Sequence, residues 1–340
     1  MPDTAPRVSV VIPNYNYEKT LGKCLESVFA QTMRPYEVIV SDDASTDGSC
    51  EVAARFPCRV VRAPHNRGVS AARNAGVAAS TGDVLFFVDS DAALAPDAIE
   101  NAVRLLEENE RYGCVHGIFA PEPLIDDGPV EWYRTLHTYY GRIRGIGPTV
   151  TAHFVAAAMP RHVFEEIGPF DENLRDMEDI EYSDRLSEKY EILLTDQVVM
   201  YHDEADRLLP LLREQYRRAQ LLVPFAAAHR SRPGTLWLNS RTGVMAAAFT
   251  MATLPAPLLS RRLVALPLAG LAVFSAADPK LSRFVLKQRG AGFLGYFTAI
   301  HFVVNASIVA GAGVGALRSF ANRGFGRPSA RTDSKRTDPA

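Results

Sequence analysis

A chain of 340 residues has room for one large α/β domain with an appendage, or for two modest domains. With 37 Lys and Arg against 39 Asp and Glu it is close to neutral, which excludes a general affinity for polyanions and nucleic acid as an expected partner. Its cysteines, Cys24, Cys50, Cys58 and Cys114, lack paired zinc spacing and read as small buried hydrophobes in a reducing compartment.

The N-terminus has no basic stretch leading into an apolar core, so no signal peptide is expected. Val8–Ile12 is an apolar β-branched run broken by Pro13-Asn14-Tyr15-Asn16, and a helix with Leu21, Leu25 and Val28 on one face follows. Glu37–Val40 predicts a second strand, ending in Asp42-Asp43-Ala44-Ser45-Thr46-Asp47-Gly48. Small and acidic residues dense after a strand read as a ligand loop entering a helix. Arg59–Arg62 is a third strand. Asn66 to Ala79 is a loop and then an Ala-rich helix able to approach the sheet closely.

Val84–Val88 is the stretch around which the rest is organised. It is wholly apolar and bounded by Gly82-Asp83 and Asp89-Ser90-Asp91, as suits a strand buried on both faces. Open sheets of this kind bind ligands at the carboxyl ends of their strands. Here that end carries two carboxylates at i and i+2, able to share one hard cation and the diphosphate it holds. A helix from Pro96 buries Ile99, Val103 and Leu106. Strand and helix thus alternate four times, the mark of βαβ units in a mostly parallel sheet.

Cys114–Phe119 and Phe154–Ala158 predict further strands, with Gly168-Pro169-Phe170-Asp171 a turn. Between them, residues 121–150 are rich in aromatic and basic groups, Tyr133, His137, Tyr140 and Arg142 among them. They read equally as a substrate-facing loop or an amphipathic surface helix. Met177-Glu178-Asp179 opens a helix with acids in its first turn, where the helix dipole favours them with or without chemistry. A strand from Glu191 ends at Tyr201-His202, and a basic helix runs from about Arg207 to Leu222.

Taken in order, six of these pieces resemble the family 2 glycosyltransferases: the Val8–Asn16 strand and break, Asp42–Gly48, Arg67-Gly68 with Ala72–Gly76, Gly82-Asp83 through Asp91, Gly168–Asp171, and Glu178-Asp179. The resemblance spans roughly residues 7–205 and implies a GT-A fold, α/β with a mostly parallel sheet flanked by helices. It also implies inverting transfer of a sugar from a nucleotide-diphosphate donor. Pro13 and Tyr15 would line the base, Tyr15 stacking on it. Asp43 would accept from a base N–H, which favours uracil or thymine. Arg73 would face the diphosphate, Asp89 the ribose or sugar, and Asp91 would hold Mg²⁺ or Mn²⁺. Asp179 would be the general base. His202 is either a further metal ligand or an ordinary interior histidine. The stretch Phe154–Met159 lacks the glycine and asparagine many relatives carry there, which leaves the acceptor side open.

After about residue 240 charges thin out. Gly243–Leu259 and Leu263–Ala277 are uncharged but broken by Pro255, Pro257 and Pro267, which suits segments that lie in the interface or re-enter. Gly290–Leu317 is uncharged and long enough to span a bilayer, with Gly311 and Gly315 spaced for close helix packing. The expected organisation is a catalytic domain over 1–235, a helical membrane-associated region over 236–320 and a disordered tail over 321–340. The expected acceptor is a hydroxyl on a lipid-linked sugar or glycan, with the catalytic domain facing the cytoplasm. Rival readings are a polyprenyl-phosphate glycosyltransferase, a sugar-phosphate nucleotidyltransferase and a non-catalytic membrane scaffold. A nucleotidyltransferase would show a Gly-rich, basic loop after the first strand, where this chain has Pro13–Asn16.

Overall fold

The β-branched runs become the middle of one nine-stranded sheet in the computed structural model, which describes residues 6–174, 177–221 and 239–321. Strands β1 (Val8–Asn14), β2 (Glu37–Asp42), β3 (Arg59–Arg62) and β4 (Val84–Val88) are parallel, in spatial order β3-β2-β1-β4. Their connections carry helices α1 (Glu18–Phe29), α2 (Ser49–Ala53) and α3 (Val69–Ala78). Strand β5 (Ala92–Leu94), helix α4 (Ala98–Glu108) and strand β6 (Tyr112–Phe119) follow.

Alternation along β1 and β4 feeds two cores. Val10, Ile12, Phe86 and Val88 pack on Leu21, Leu25, Ile99 and Val103 of α1 and α4. Val11, Leu85 and Phe87 point the other way, into an aromatic cluster of Phe154, Phe164, Phe170 and Tyr182. Period-two placement of apolar side chains on both faces is what buries β4 completely. Helix α3 lies against β1 at Gly76, where a Cβ would come within 2.4 Å of Val11.

Beyond β4 the sheet departs from an all-parallel pattern. Strand β8 (Ala156–Pro160) runs antiparallel to both β4 and β6, and β9 (Glu191–His202) continues parallel to β6. Two three-residue strands, β5 and β7 (Gly147–Thr149), pair with β9 and are too short to carry a periodic signal. Residues 129–143 are neither a loop nor a surface helix. They form α5 (Pro129–Ile143), with Tyr133, Leu136, His137, Tyr140 and Arg142 all buried.

What buries α5 is the C-terminal region. After α6 (Arg161–Ile167), α7 (Glu178–Leu186) and α8 (Leu208–Ala219) come α9 (Arg241–Thr253), α10 (Ala265–Ala276) and the 43-residue α11 (Pro279–Ala321). Helix α11 kinks at Gly290, whose φ of 80° is costly for any other residue. Phe297, Ile300, Val304 and Ile308 pack on Val130, Tyr133, Leu136 and Leu211 of α5 and α8. Gly311 and Gly315 let α11 close on α8, where added Cβ atoms would meet the carbonyls of Tyr216 and Gln220 at 2.3 and 2.1 Å. The same region exposes Met245, Leu258, Leu259, Leu268, Leu317 and Phe320. The expected junction at 235/236 and the tail beyond Ala321 lie outside the described residues.

Candidate functional site

The carboxyl ends of β1, β2 and β4 open on a cleft of about 210 Å³ lined by Pro13, Tyr15, Tyr17, Asp43, Gly68, Asp89 and Asp91. The loop after β1 is tied by its asparagines to the loop after β2. Asn14 Nδ2 donates to Asp42 Oδ1 at 2.9 Å and to Ser45 at 3.1 Å, and Asn16 Oδ1 accepts from Thr46 N at 2.8 Å. Asp43 accepts from the backbone of Arg67 and Gly68 at 2.8 and 2.7 Å, which holds the 67–68 loop over the cleft. These donors leave lone-pair capacity on the Asp43 carboxylate for a ligand.

Among the described residues, the non-glycines with left-handed backbone are Asn16, Ala44 and Met177, at φ 60°, 64° and 66°. Each stands within two residues of a candidate site residue: Tyr15, Asp43 and Asp179. Strain of this kind, of order ~1–3 kcal/mol each, collects where a site over-determines its loops.

Arg73 ties the two sides of the site together. Although fully enclosed, its guanidinium reaches Asp89 at 3.1 Å, Asp179 at 3.1 Å and Glu178 at 3.3 Å. The expectation that Arg73 faces a diphosphate is therefore revised: three carboxylates occupy it, and it positions acids rather than presenting a free cation. The aromatic cluster supports it from below, with Phe154 and Phe170 rings 5.7 and 5.5 Å from its Cζ. Burial raises Asp89 and Asp179 above the usual carboxylate range, with Arg73 opposing in each case. Asp179 also faces the backbone N–H of Phe154 at 3.4 Å and His153 Nδ1 at 3.8 Å.

Asp91 and His202 meet at the far edge, His202 Nε2 lying 3.4 Å from Asp91 Oδ1. Burial would disfavour both charges, yet their attraction outweighs it: Asp91 falls below its ordinary value and His202 rises to about 9. Asp91 Oδ1 is enclosed and makes no hydrogen bond. The negative charge of Asp91 also pushes the Tyr17 phenol up. An imidazole facing an enclosed carboxylate oxygen is a donor set that a divalent cation could take once the imidazole gives up its proton, so Asp91 and His202 fit such an ion. Residues 9–168 match the family model described as Glycosyl transferase family 2. That stretch is a glycosyl transferase family 2 domain.

Relatives of the family 2 domain agree with that match. An uncharacterized glycosyltransferase of Nostoc sp. is 35% identical over 118 residues, 32% of this chain and 36% of that protein. Glycosyltransferase AglE of Haloferax volcanii is 29% identical over 233 residues, 64% of this chain and 73% of that one. The chain spans only 36% and 37% of the length of two of the curated relatives it matches. The mannosyltransferase PcManGT from Pyrobaculum calidifontis, solved with GDP-Man and Mn²⁺, superposes with a TM-score of 0.56. That match has 20% identity and covers 91% of this chain and 88% of that one, which establishes a shared fold.

Three groups around the family 2 site were not legible as such in the sequence. Asn74 clamps the turn at Phe170, donating to its carbonyl at 2.9 Å and accepting from its N–H at 2.9 Å. Glu204, paired with Arg134 at 3.1 Å, faces His202 Nδ1 at 3.9 Å. Buried Arg142 and His116, with the half-buried His153 between them and Asp179, form a third group. Asn74 carried a signal, since it lies in the Ala72–Gly76 piece. The other two depend on contacts over long sequence separation.

Proposed function

We propose that the chain is a metal-dependent inverting glycosyltransferase that moves a sugar from a nucleoside-diphosphate sugar to a hydroxyl acceptor. The observation that carries this reading is the convergence of Asp89, Asp91 and Asp179 beside the cleft lined by Pro13, Tyr15 and Asp43. Tyr15 would stack on the base and Asp43 would accept a ring N–H, which favours a uracil or thymine nucleotide. Asp89 would orient the ribose or sugar. Asp91, with His202, would hold Mg²⁺ or Mn²⁺, and the ion would neutralise charge developing on the departing diphosphate.

Asp179 would take the proton of the attacking hydroxyl. A carboxylate raised by burial is a better base than a solvated one, and Arg73 keeps it aimed. A phosphate acceptor is already anionic and needs little such help, so an acid at this position favours a hydroxyl on a lipid-linked sugar or glycan. The catalytic domain over 1–235 would face the cytoplasm, where nucleotide sugars are made.

The helical region over 236–320 would hold this domain on a membrane lying along, rather than across, the interface. Helix α11 is apolar enough to span a bilayer, with only 28% of its most apolar window buried. Its inner face is nevertheless packed along α8, which exposes the Arg218–Glu214 ion pair. Spanning would draw those charges into hydrocarbon. Lying in the interface lets Leu258, Leu259, Leu317 and Phe320 enter lipid while Arg261, Arg262 and Lys280 meet head groups.

A thermal-shift panel of nucleotide sugars, with and without Mg²⁺ or Mn²⁺, tests the donor. A bound ligand raises the melting temperature by mass action, and the uridine or thymidine sugars should do so only with metal. Absence of any nucleotide-sugar response would refute the transferase reading. For attachment, full-length protein should co-sediment with phospholipid vesicles and resist release by high salt, because burial of apolar area is not screened. A soluble, monodisperse full-length chain that ignores vesicles would refute it.

A further inference from the structure

Behind Asp179 the chain buries a cation it does not use. Arg142, in the last turn of α5, is 6% exposed. Its Nε and Nη1 are sealed from solvent and make no hydrogen bond, and among the described residues no carboxylate comes within ion-pair distance of it. The face of Phe119 lies 5.2 Å from its Cζ, and the same ring meets His202 edge-on at 5.0 Å. The charges of Asp179 and Glu204 reach Arg142 only through space, and burial leaves its guanidinium lowered to about 10. His153 bridges the group to the candidate base, with Nδ1 3.8 Å from Asp179 and its ring 5.9 Å from that of His116.

Arg73 shows how this chain treats a structural buried arginine, since three carboxylates surround it. A buried guanidinium left without a partner is expensive and is kept where something outside the chain completes it. Burial and the nearby Arg142 charge hold both His116 and His153 neutral, so neither adds a competing cation. Resting on the transferase reading above, we propose that Arg142 is the anion-binding residue of the acceptor subsite. The acceptor then carries a phosphate or carboxylate close to the hydroxyl presented to Asp179. Planar guanidinium donors suit either oxyanion.

The test uses full-length protein in detergent with EDTA, titrated with inorganic phosphate and with acetate while the melting temperature is followed. Wild type should show a saturable rise. Asp91→Ala should keep it, because no metal is involved, whereas Arg142→Gln should weaken apparent affinity at least tenfold. Arg142→Lys, which keeps the charge, should retain most of the response. Without anion, Arg142→Gln should melt at or above the wild-type temperature, since it removes a charge nothing neutralises. Phosphate acting alone assigns a phosphorylated acceptor; acetate acting alone assigns a sugar acid. An equal anion response in Arg142→Gln, no response in wild type, or a variant that melts well below wild type or does not fold would overturn the proposal. None of these outcomes depends on donor chemistry, so the donor panel stands or falls separately.

Discussion

The donor side and the acceptor side of this site are built on opposite terms. On the donor side charged groups are matched: Asp42 has Asn14, Ser45 and Arg62, Asp43 has the 67–68 backbone, and Asp89 has Arg73, which reaches across to Glu178 and Asp179. On the acceptor side Arg142 has no ion pair among the described residues, and His116 is buried beside it. A matched network fixes one geometry and rigidifies it. An unmatched one leaves binding capacity for a molecule yet to arrive. On the proposed roles the donor pocket would be close to its working shape, and the acceptor pocket would be completed by its ligand.

The largest effect should come from the metal edge. Asp91→Ala should lower transfer by about a thousandfold, several kcal/mol of charge stabilisation, while the chain still folds. A milder loss would place the cation elsewhere. Next, Asp179→Asn keeps shape and hydrogen bonding but removes basicity. It should lower kcat by at least ~100-fold with donor affinity little altered, read by transfer kinetics beside nucleotide binding. Near wild-type turnover with polyprenyl phosphate as acceptor would overturn both the base and the acceptor class. Tyr15→Ala should weaken donor binding by roughly tenfold, as loss of about 1–3 kcal/mol of stacking on a base implies, and leave acceptor KM alone.

The smallest effect separates the halves by pH. His116 is held neutral by burial and by Arg142, at about 3 against an ordinary 6.5. The unfolded chain therefore takes up a proton below about pH 6.5 that the folded chain refuses, so stability falls as pH drops through that window. The decline should be about 1.4 kcal/mol per pH unit from this group, and His116→Leu should flatten it. An equal slope in the variant would move the sensitivity to other residues.

Legibility followed the same division. Short, mostly apolar runs ending in polar loops, Pro13–Asn16, Asp42–Gly48 and Asp89–Asp91, made β1, β2, β4 and their loops readable, because period and punctuation are local. The antiparallel course of β8 was not readable, since Ala156-Ala157-Ala158 fits either direction and its partners are some 40 to 70 residues away. Helix α5 looked amphipathic because its aromatic and basic residues face a layer formed more than 150 residues later. Arg73 was placed in the right motif and on the wrong partner: sequence order does not reveal that Glu178 and Asp179 return to it.

Arg73 is a single guanidinium shared between Asp89 of β4 and Asp179 of α7. Thermodynamic reciprocity follows from that sharing. An incoming donor that draws Asp89 away frees Arg73 to bind Asp179 more strongly and makes it a poorer base. A donor that leans on Asp89 through Arg73 does the reverse. On the proposed roles, donor occupancy and the proton affinity of Asp179 would be linked by the same free energy in both directions.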